Sequence, residues 1–228
     1  MNLNDFNSLI ELFFYQLEKQ DPKSIFLQWL NPNNKKNYTW EETKINIFKL
    51  SKTIKENIKE GDRCLLVSEN RPEWLISDLA IMLSGAITVP AYTTYTEDDY
   101  KYLIEDCEPT VVIISNNDML KKLNKTINEK NFIKKIITFD EVEKVHNNLN
   151  INNKEKYLDF NSIMKNELSE KDKIKNLNLK RSAAACIIYT SGTGGNPKGV
   201  ILSHGGILNN LVGACEIMKP LIDSRPVF

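Results

Sequence analysis

Between Cys64 and Phe139 short apolar runs alternate with amphipathic stretches, and few folds accept that order. Cys64-Leu65-Leu66-Val67-Ser68 is apolar on both faces of an extended chain, the pattern of a strand covered on both sides. After the turn Glu69-Asn70-Arg71-Pro72, residues Pro72 to Leu83 place Trp74, Leu75, Leu79 and Met82 on one helical face, and Ile87-Thr88-Val89-Pro90 reads as the next strand. Thr96 and Asp99 stand at capping-box spacing before a helix that runs to Cys107. A strand over Thr110–Ile114, a helix over Asp118–Ile127 and a strand over Lys134–Phe139 continue the rhythm. Strands joined through helices are parallel strands, so an α/β fold is expected: layered, mostly parallel sheets covered by helices.

The flanks extend this reading. Phe6, Leu9, Ile10, Phe13, Phe14 and Leu17 recur at helical spacing before Asp21-Pro22. The apolar run Ile25–Leu30 leads into an expected loop over Asn31–Asn37, after which Thr39 and Glu42 form a second capping box for a helix through Ile58, stopped by Gly61. From about residue 140 to 180 the chain turns to Asn, Lys and Glu with little aromatic content, and reads as a polar, solvated excursion. Residues 120–181 carry fifteen Lys or Arg against nine Asp or Glu, but no stacking aromatics are interleaved with those lysines as a nucleic-acid face requires. Over the whole chain 30 basic residues balance 30 acidic ones, so no global field gathers nucleic acid or anionic lipid, and no nucleic-acid partner is expected.

Composition excludes further classes. Cysteines at 64, 107, 186 and 215 form no C-x-x-C pair and only two histidines accompany them, so a zinc site is not expected and free buried thiols are. The N-terminus lacks a basic segment before an apolar run, which argues against a secretory signal and for the cytoplasm. The longest apolar candidate, around Trp74 to Pro90, is interrupted by Asp78, so no transmembrane segment is expected.

Chemistry concentrates after Lys180-Arg181. The apolar run Ala183–Tyr189 reads as a buried strand that opens into Thr190-Ser191-Gly192-Thr193-Gly194-Gly195-Asn196-Pro197-Lys198-Gly199-Val200, with a second strand beyond. Glycines let backbone N–H groups approach an anion, Thr and Ser hydroxyls add donors, and a lysine ammonium neutralises phosphate oxygens. A plain hairpin turn uses roughly two to five residues and has no need of a lysine. Walker A is excluded because Pro197 precedes Lys198 and Gly199 follows it, where a glycine and a hydroxyl belong. The dinucleotide fingerprint fails at Pro197, which stands where its third glycine belongs. The segment is read as a polyphosphate-binding loop.

Tyr189 through Val200, with Leu202-Ser203-His204, resembles the signature of the adenylate-forming (AMP-binding) enzymes, which include acyl-CoA synthetases, luciferases and peptide-synthetase adenylation domains. Upstream, Tyr38-Thr39-Trp40, Gly61-Asp62-Arg63, Glu69 to Trp74 and Gly85 to Tyr92 resemble the early part of long-chain acyl-CoA synthetases. Gly194 departs from the pattern, since many members carry threonine there.

The resemblance implies a two-step ligation with ATP, Mg²⁺ and coenzyme A. A fatty acid or other carboxylic acid is activated as an acyl-adenylate and passed to the coenzyme A thiol. Thr190, Ser191, Gly192, Thr193, Gly194, Gly195 and Lys198 are then the ATP phosphate contacts; no acid–base catalyst and no metal ligand is assigned. His204 is read first as a cap of the helix Gly205–Cys215, with a place near the site as the alternative; Glu69–Trp74 and Tyr92–Tyr95 are read as packing or turn residues, with a place at the border of the substrate region as the alternative for Tyr92–Tyr95. The family's adenine motif, ribose-binding aspartate and C-terminal lysine all follow this loop. Residues 1–228 are therefore expected to be an incomplete N-terminal AMP-binding domain without the C-terminal catalytic domain, inactive alone, with the helix face of Ile207, Leu208, Leu211 and Val212 left without partners. The alternatives are an adenylation domain that loads a carrier protein and a short non-catalytic nucleotide-binding module. Fatty-acid substrates also admit peripheral association with a membrane surface.

Overall fold

A computed structural model describes residues 2–31, 34–141, 154–173, 179–191 and 196–223. Its centre is a seven-stranded sheet formed by β3 (Arg63–Val67), β4 (Ile87–Ala91), β5 (Val111–Ile114), β6 (Lys135–Thr138), β7 (Tyr157–Asp159), β8 (Ala184–Thr190) and β9 (Lys198–Ser203). The spatial order is β7-β6-β5-β3-β4-β8-β9; all neighbours are parallel except β8 and β9, which are antiparallel. A separate two-stranded ribbon pairs β1 (Ile25–Asn31) with β2 (Asn34–Thr39).

Strand alternation sorts the core into two layers. On β3, Cys64 and Leu66 join one cluster and Leu65 and Val67 the other, and β5 divides Val111 and Ile113 from Val112 and Ile114 in the same way. The first layer is covered by α1 (Leu9–Leu17), α2 (Trp40–Lys55), α3 (Pro72–Ser84) and α6 (Phe160–Met164). The second lies beneath α4 (Glu97–Cys107) and α5 (Asn117–Glu129). Each fully buried Leu, Ile or Val contributes roughly 1.5–3 kcal/mol, and β3 and β5 present such side chains on both faces, which fixes their central places.

Local signals start the helices. Both capping boxes form: Thr39 Oγ1 accepts from the Glu42 N–H at 3.1 Å while Glu42 accepts from the Thr39 N–H at 2.8 Å, and Thr96 and Asp99 repeat the exchange. Gly85 closes α3 at φ +86°, a left-handed conformation that a β-carbon would strain.

Several expectations are corrected. The loop expected over Asn31–Asn37 is largely strand, because the β1–β2 register carries through Trp29↔Lys36 and Gln28↔Asn37 despite a polar sequence. The polar excursion contains β7 and α6, with Tyr157, Phe160 and Ile163 buried; three- and five-residue elements are too short to show a period. The other part of that excursion, 142–153 and 174–178, lies outside the described residues. The final helix, α7 (His204–Asp223), continues well past Cys215. Cys64 and Cys107 are buried thiols, but Cys186 is half-buried and Cys215 exposed. Leu208 is not left open: it is fully buried with Leu3 and Phe6, and Leu211 and Val212 pack against that cluster. Among the described residues, exposed apolar side chains lie instead on β1 (Ile25, Leu30), at Tyr92, on β9 (Val200, Ile201, Leu202) and further along α7 (Ile217, Met218).

Candidate functional site

In the order β4-β3-β5 the chain leaves β3 in one direction and returns past it to β5, which makes the carboxyl ends of β3 and β5 a switch point where ligands commonly bind. Here that point is plugged. The Arg71 guanidinium lies 4.8 Å from the Trp29 ring and 5.0 Å from the Phe139 ring, donates to the Ser115 carbonyl, and pairs with Glu73 at 2.9 Å. Glu73, 1% exposed, also accepts from Lys36 at 2.6 Å and from the Tyr38 hydroxyl at 3.1 Å. Burial alone would raise the Glu73 carboxyl, but the hydrogen bonds and charges of Arg71 and Lys36 outweigh it and hold the pKa at about 2. The network staples the β1–β2 ribbon to the end of the sheet.

The open space lies one strand over. A cleft of about 390 Å³ sits at the ends of β3, β4 and β8, lined among others by Ser68, Asn70, Trp74, Tyr92, Tyr95 and Tyr189. A second cavity of about 200 Å³ continues from Tyr95 and Tyr189 to Asn196 and Pro197 beside the amino-terminal half of α4. Tyr92–Tyr95, expected as packing or turn, therefore border the open cleft. Within Glu69–Trp74, Arg71 and Glu73 form the buried charge network, whereas Glu69, Asn70 and Trp74 line the cleft.

Of the expected phosphate-binding residues, Thr190 and Lys198 adjoin Tyr189 and Pro197, which line these spaces. Thr190 ends β8, Ser191 follows it, and Lys198 begins β9; all three are exposed. In the antiparallel register Thr190 stands opposite Lys198. Gly192, Thr193, Gly194 and Gly195 lie outside the described residues. Gly199 fits where only glycine can, because a β-carbon there would meet Ile187 Cγ2 at 2.9 Å and Tyr189 Cζ at 3.2 Å.

Two residues that sequence reasoning missed touch the arms of this loop. The Tyr189 hydroxyl donates to the Asp106 carboxylate, and the Tyr102 hydroxyl donates to the Pro197 carbonyl at 2.9 Å. Spacing gave no warning, since both partners sit some ninety residues upstream. His204 is buried, and its Nδ1 accepts the Leu9 N–H at 3.3 Å, so it ties α1 to the start of α7 away from the cleft. Burial lowers its pKa. Among the described residues no group of three His, Cys, Asp or Glu side chains is placed to hold a metal, and no helix is long and apolar enough to cross a membrane.

Comparison with known proteins agrees with this geometry. The chain is 29% identical over 190 residues to long chain acyl-CoA synthetase 3 of Arabidopsis thaliana, covering 80% of this chain and 27% of that protein. It is 27% identical over 170 residues to fatty acyl-CoA synthetase A of Dictyostelium discoideum, covering 72% and 24%. The chain thus spans about a quarter of the length of these relatives. Among solved structures, the luciferase-like enzyme of the nonluminescent Zophobas morio mealworm superposes with a TM-score of 0.72 at 20% identity, over 88% of this chain and 43% of that one, which shows a shared fold. The model of the AMP-binding enzyme family matches residues 13–226, and the chain belongs to that family.

Proposed function

We propose that the complete protein is an ATP-dependent acid–thiol ligase of the long-chain acyl-CoA synthetase kind, and that residues 190–198 hold the β- and γ-phosphates of ATP. A carboxylate oxygen of the fatty acid attacks the α-phosphorus as the bond to the bridging oxygen breaks, releasing pyrophosphate and leaving an acyl-adenylate. The coenzyme A sulfur, having lost its proton, then attacks the acyl carbon, and AMP departs. The names of the two relatives support a fatty acyl substrate. On this reading the protein works in the cytoplasm or against a membrane surface that supplies the acid.

Charge accumulates on the departing pyrophosphate, and donors already in place stabilise it without reorganisation. The hydroxyls of Thr190, Ser191 and Thr193, the backbone N–H groups of Gly192, Gly194 and Gly195, and the Lys198 ammonium are the groups assigned that part. The donor set suits phosphate oxygens and not a metal, so Mg²⁺ belongs in this reading to the nucleotide, where it neutralises phosphate charge.

The observation that supports the reading is the register pairing of Thr190 with Lys198 at the end of β8 and β9, next to Tyr189, which lines the cleft. The test is isotope exchange between radiolabelled pyrophosphate and ATP in the protein at its full natural length. Exchange that requires a long-chain fatty acid, and that falls about a hundredfold in Lys198→Ala, is the expected result. Absence of exchange with every carboxylic acid offered, or an undiminished Lys198→Ala enzyme, would contradict it.

A further inference from the structure

We propose that Tyr102 and Asp106, one helical turn apart on α4, hold Pro197 and Tyr189 and so position Thr190 and Lys198 toward a polyphosphate. The inference rests on the phosphate-binding reading above and adds to it two residues that touch no nucleotide.

Both anchors fall next to assigned contacts. Tyr102 donates to the carbonyl of Pro197, which precedes Lys198, at 2.9 Å. Asp106 accepts from the hydroxyl of Tyr189, which precedes Thr190. Residues four apart share a helix face, so both arms of the loop are tied to one surface. The Tyr189 ring cannot drift, because it lies against Gly199 of the neighbouring strand and is itself buried. Burial and the Asp106 carboxylate both keep its phenol protonated, so it stays the donor of the pair.

The surface that carries the anchors is immobile. Its own start is fixed by the Thr96–Asp99 capping box, and Tyr100, Leu103, Ile104 and Cys107 are buried in the core. Tyr100 adds a 2.6 Å hydrogen bond to the Tyr92 carbonyl, and Glu105 an ion pair with Lys130 at 2.6 Å.

The experiment is calorimetric titration of the protein at its full natural length with inorganic pyrophosphate and with Mg²⁺-ATP, using wild type, Tyr102→Phe, Asp106→Asn and Tyr157→Phe. Tyr157 bonds Asn124 and Asn128 near the opposite edge of the sheet and controls for the loss of any tyrosine hydroxyl. Tyr102→Phe and Asp106→Asn are each expected to weaken both ligands about five- to tenfold, the worth of one hydrogen bond, with Tyr157→Phe at the wild-type affinity. Thermal unfolding midpoints recorded alongside separate anchoring from stability: a lowered midpoint with unchanged affinity would mean a purely structural bond and overturn the proposal. Equal weakening in Tyr157→Phe would do the same. If wild type binds neither ligand, the phosphate-loop reading itself falls and takes this inference with it.

Discussion

Thr190 and Lys198 face each other across the β8–β9 ladder, so the chain leaves the sheet and returns to it at a single point. The bonds of Tyr102 and Asp106 hold the residues beside this pair, Pro197 and Tyr189.

The ladder depends on a missing side chain. In Gly199→Ala the new β-carbon would sit 2.9 Å from Ile187 Cγ2 and 3.2 Å from the Tyr189 ring. Overpacking of that kind costs about 1–3 kcal/mol, to be read in urea unfolding. Gly213→Ala, in the middle of α7 with nothing within 4 Å, is expected to leave stability unchanged or raise it by up to about 1 kcal/mol. Equal behaviour of the two variants would contradict the steric account.

Glu73 links the ribbon to the sheet and makes stability depend on pH. Its carboxyl falls from an ordinary 4.5 to about 2 in the fold, so the contribution is complete above pH 4.5 and is lost as pH drops through the folded value. Stability curves against pH should therefore slope downward between about pH 4.5 and 2, and flatten there in Glu73→Gln. At neutral pH the variant leaves Arg71 without its buried partner and should lose about 3–5 kcal/mol. A stable Glu73→Gln protein with an unaltered acid limb would show that the network carries no load.

The two capping boxes offer a simpler check. Thr39→Ala and Thr96→Ala each remove the acceptor for an otherwise unpaired helix N–H, worth about 1 kcal/mol per site. Denaturant unfolding of both variants is expected to show losses of that size, whereas wild-type stability would mean that water replaces the cap without penalty.

His204 accepts the Leu9 N–H with its neutral Nδ1, and burial holds its pKa below the usual 6.5. A lowered folded pKa means the contribution is present above 6.5 and disappears as pH falls through the folded value. The exchange protection factor of the Leu9 amide should accordingly drop in mildly acidic buffer. Constant protection from pH 7 to about pH 5 would argue that the histidine does not sense the pH of that contact.

Legibility of the sequence followed the range of the forces involved. The strands from Cys64 to Phe139 were readable because both faces of β3 and β5 are buried and every residue there except Arg63 is apolar. The caps at Thr39 and Thr96 were readable because their partners lie three residues away. The β2 strand was not, since Asn34-Lys35-Lys36-Asn37 takes its register from β1 and from the reach of Lys36 to Glu73, not from any propensity of its own. Likewise the loop's chemistry stood in its letters, while Tyr102 and Asp106 looked like two unremarkable positions on a helix until the fold laid α4 against Tyr189 and Pro197.

The central claim is that residues 190–198 grip the outer phosphates of ATP, and phosphorus NMR of Mg²⁺-ATP titrated with the protein at its full natural length tests it most directly. The account predicts that the β and γ resonances shift and broaden well before the α resonance, and that Lys198→Ala removes most of that response while leaving the fold's circular dichroism unchanged. Resonances that move together, stay unmoved, or respond identically to Lys198→Ala would contradict it.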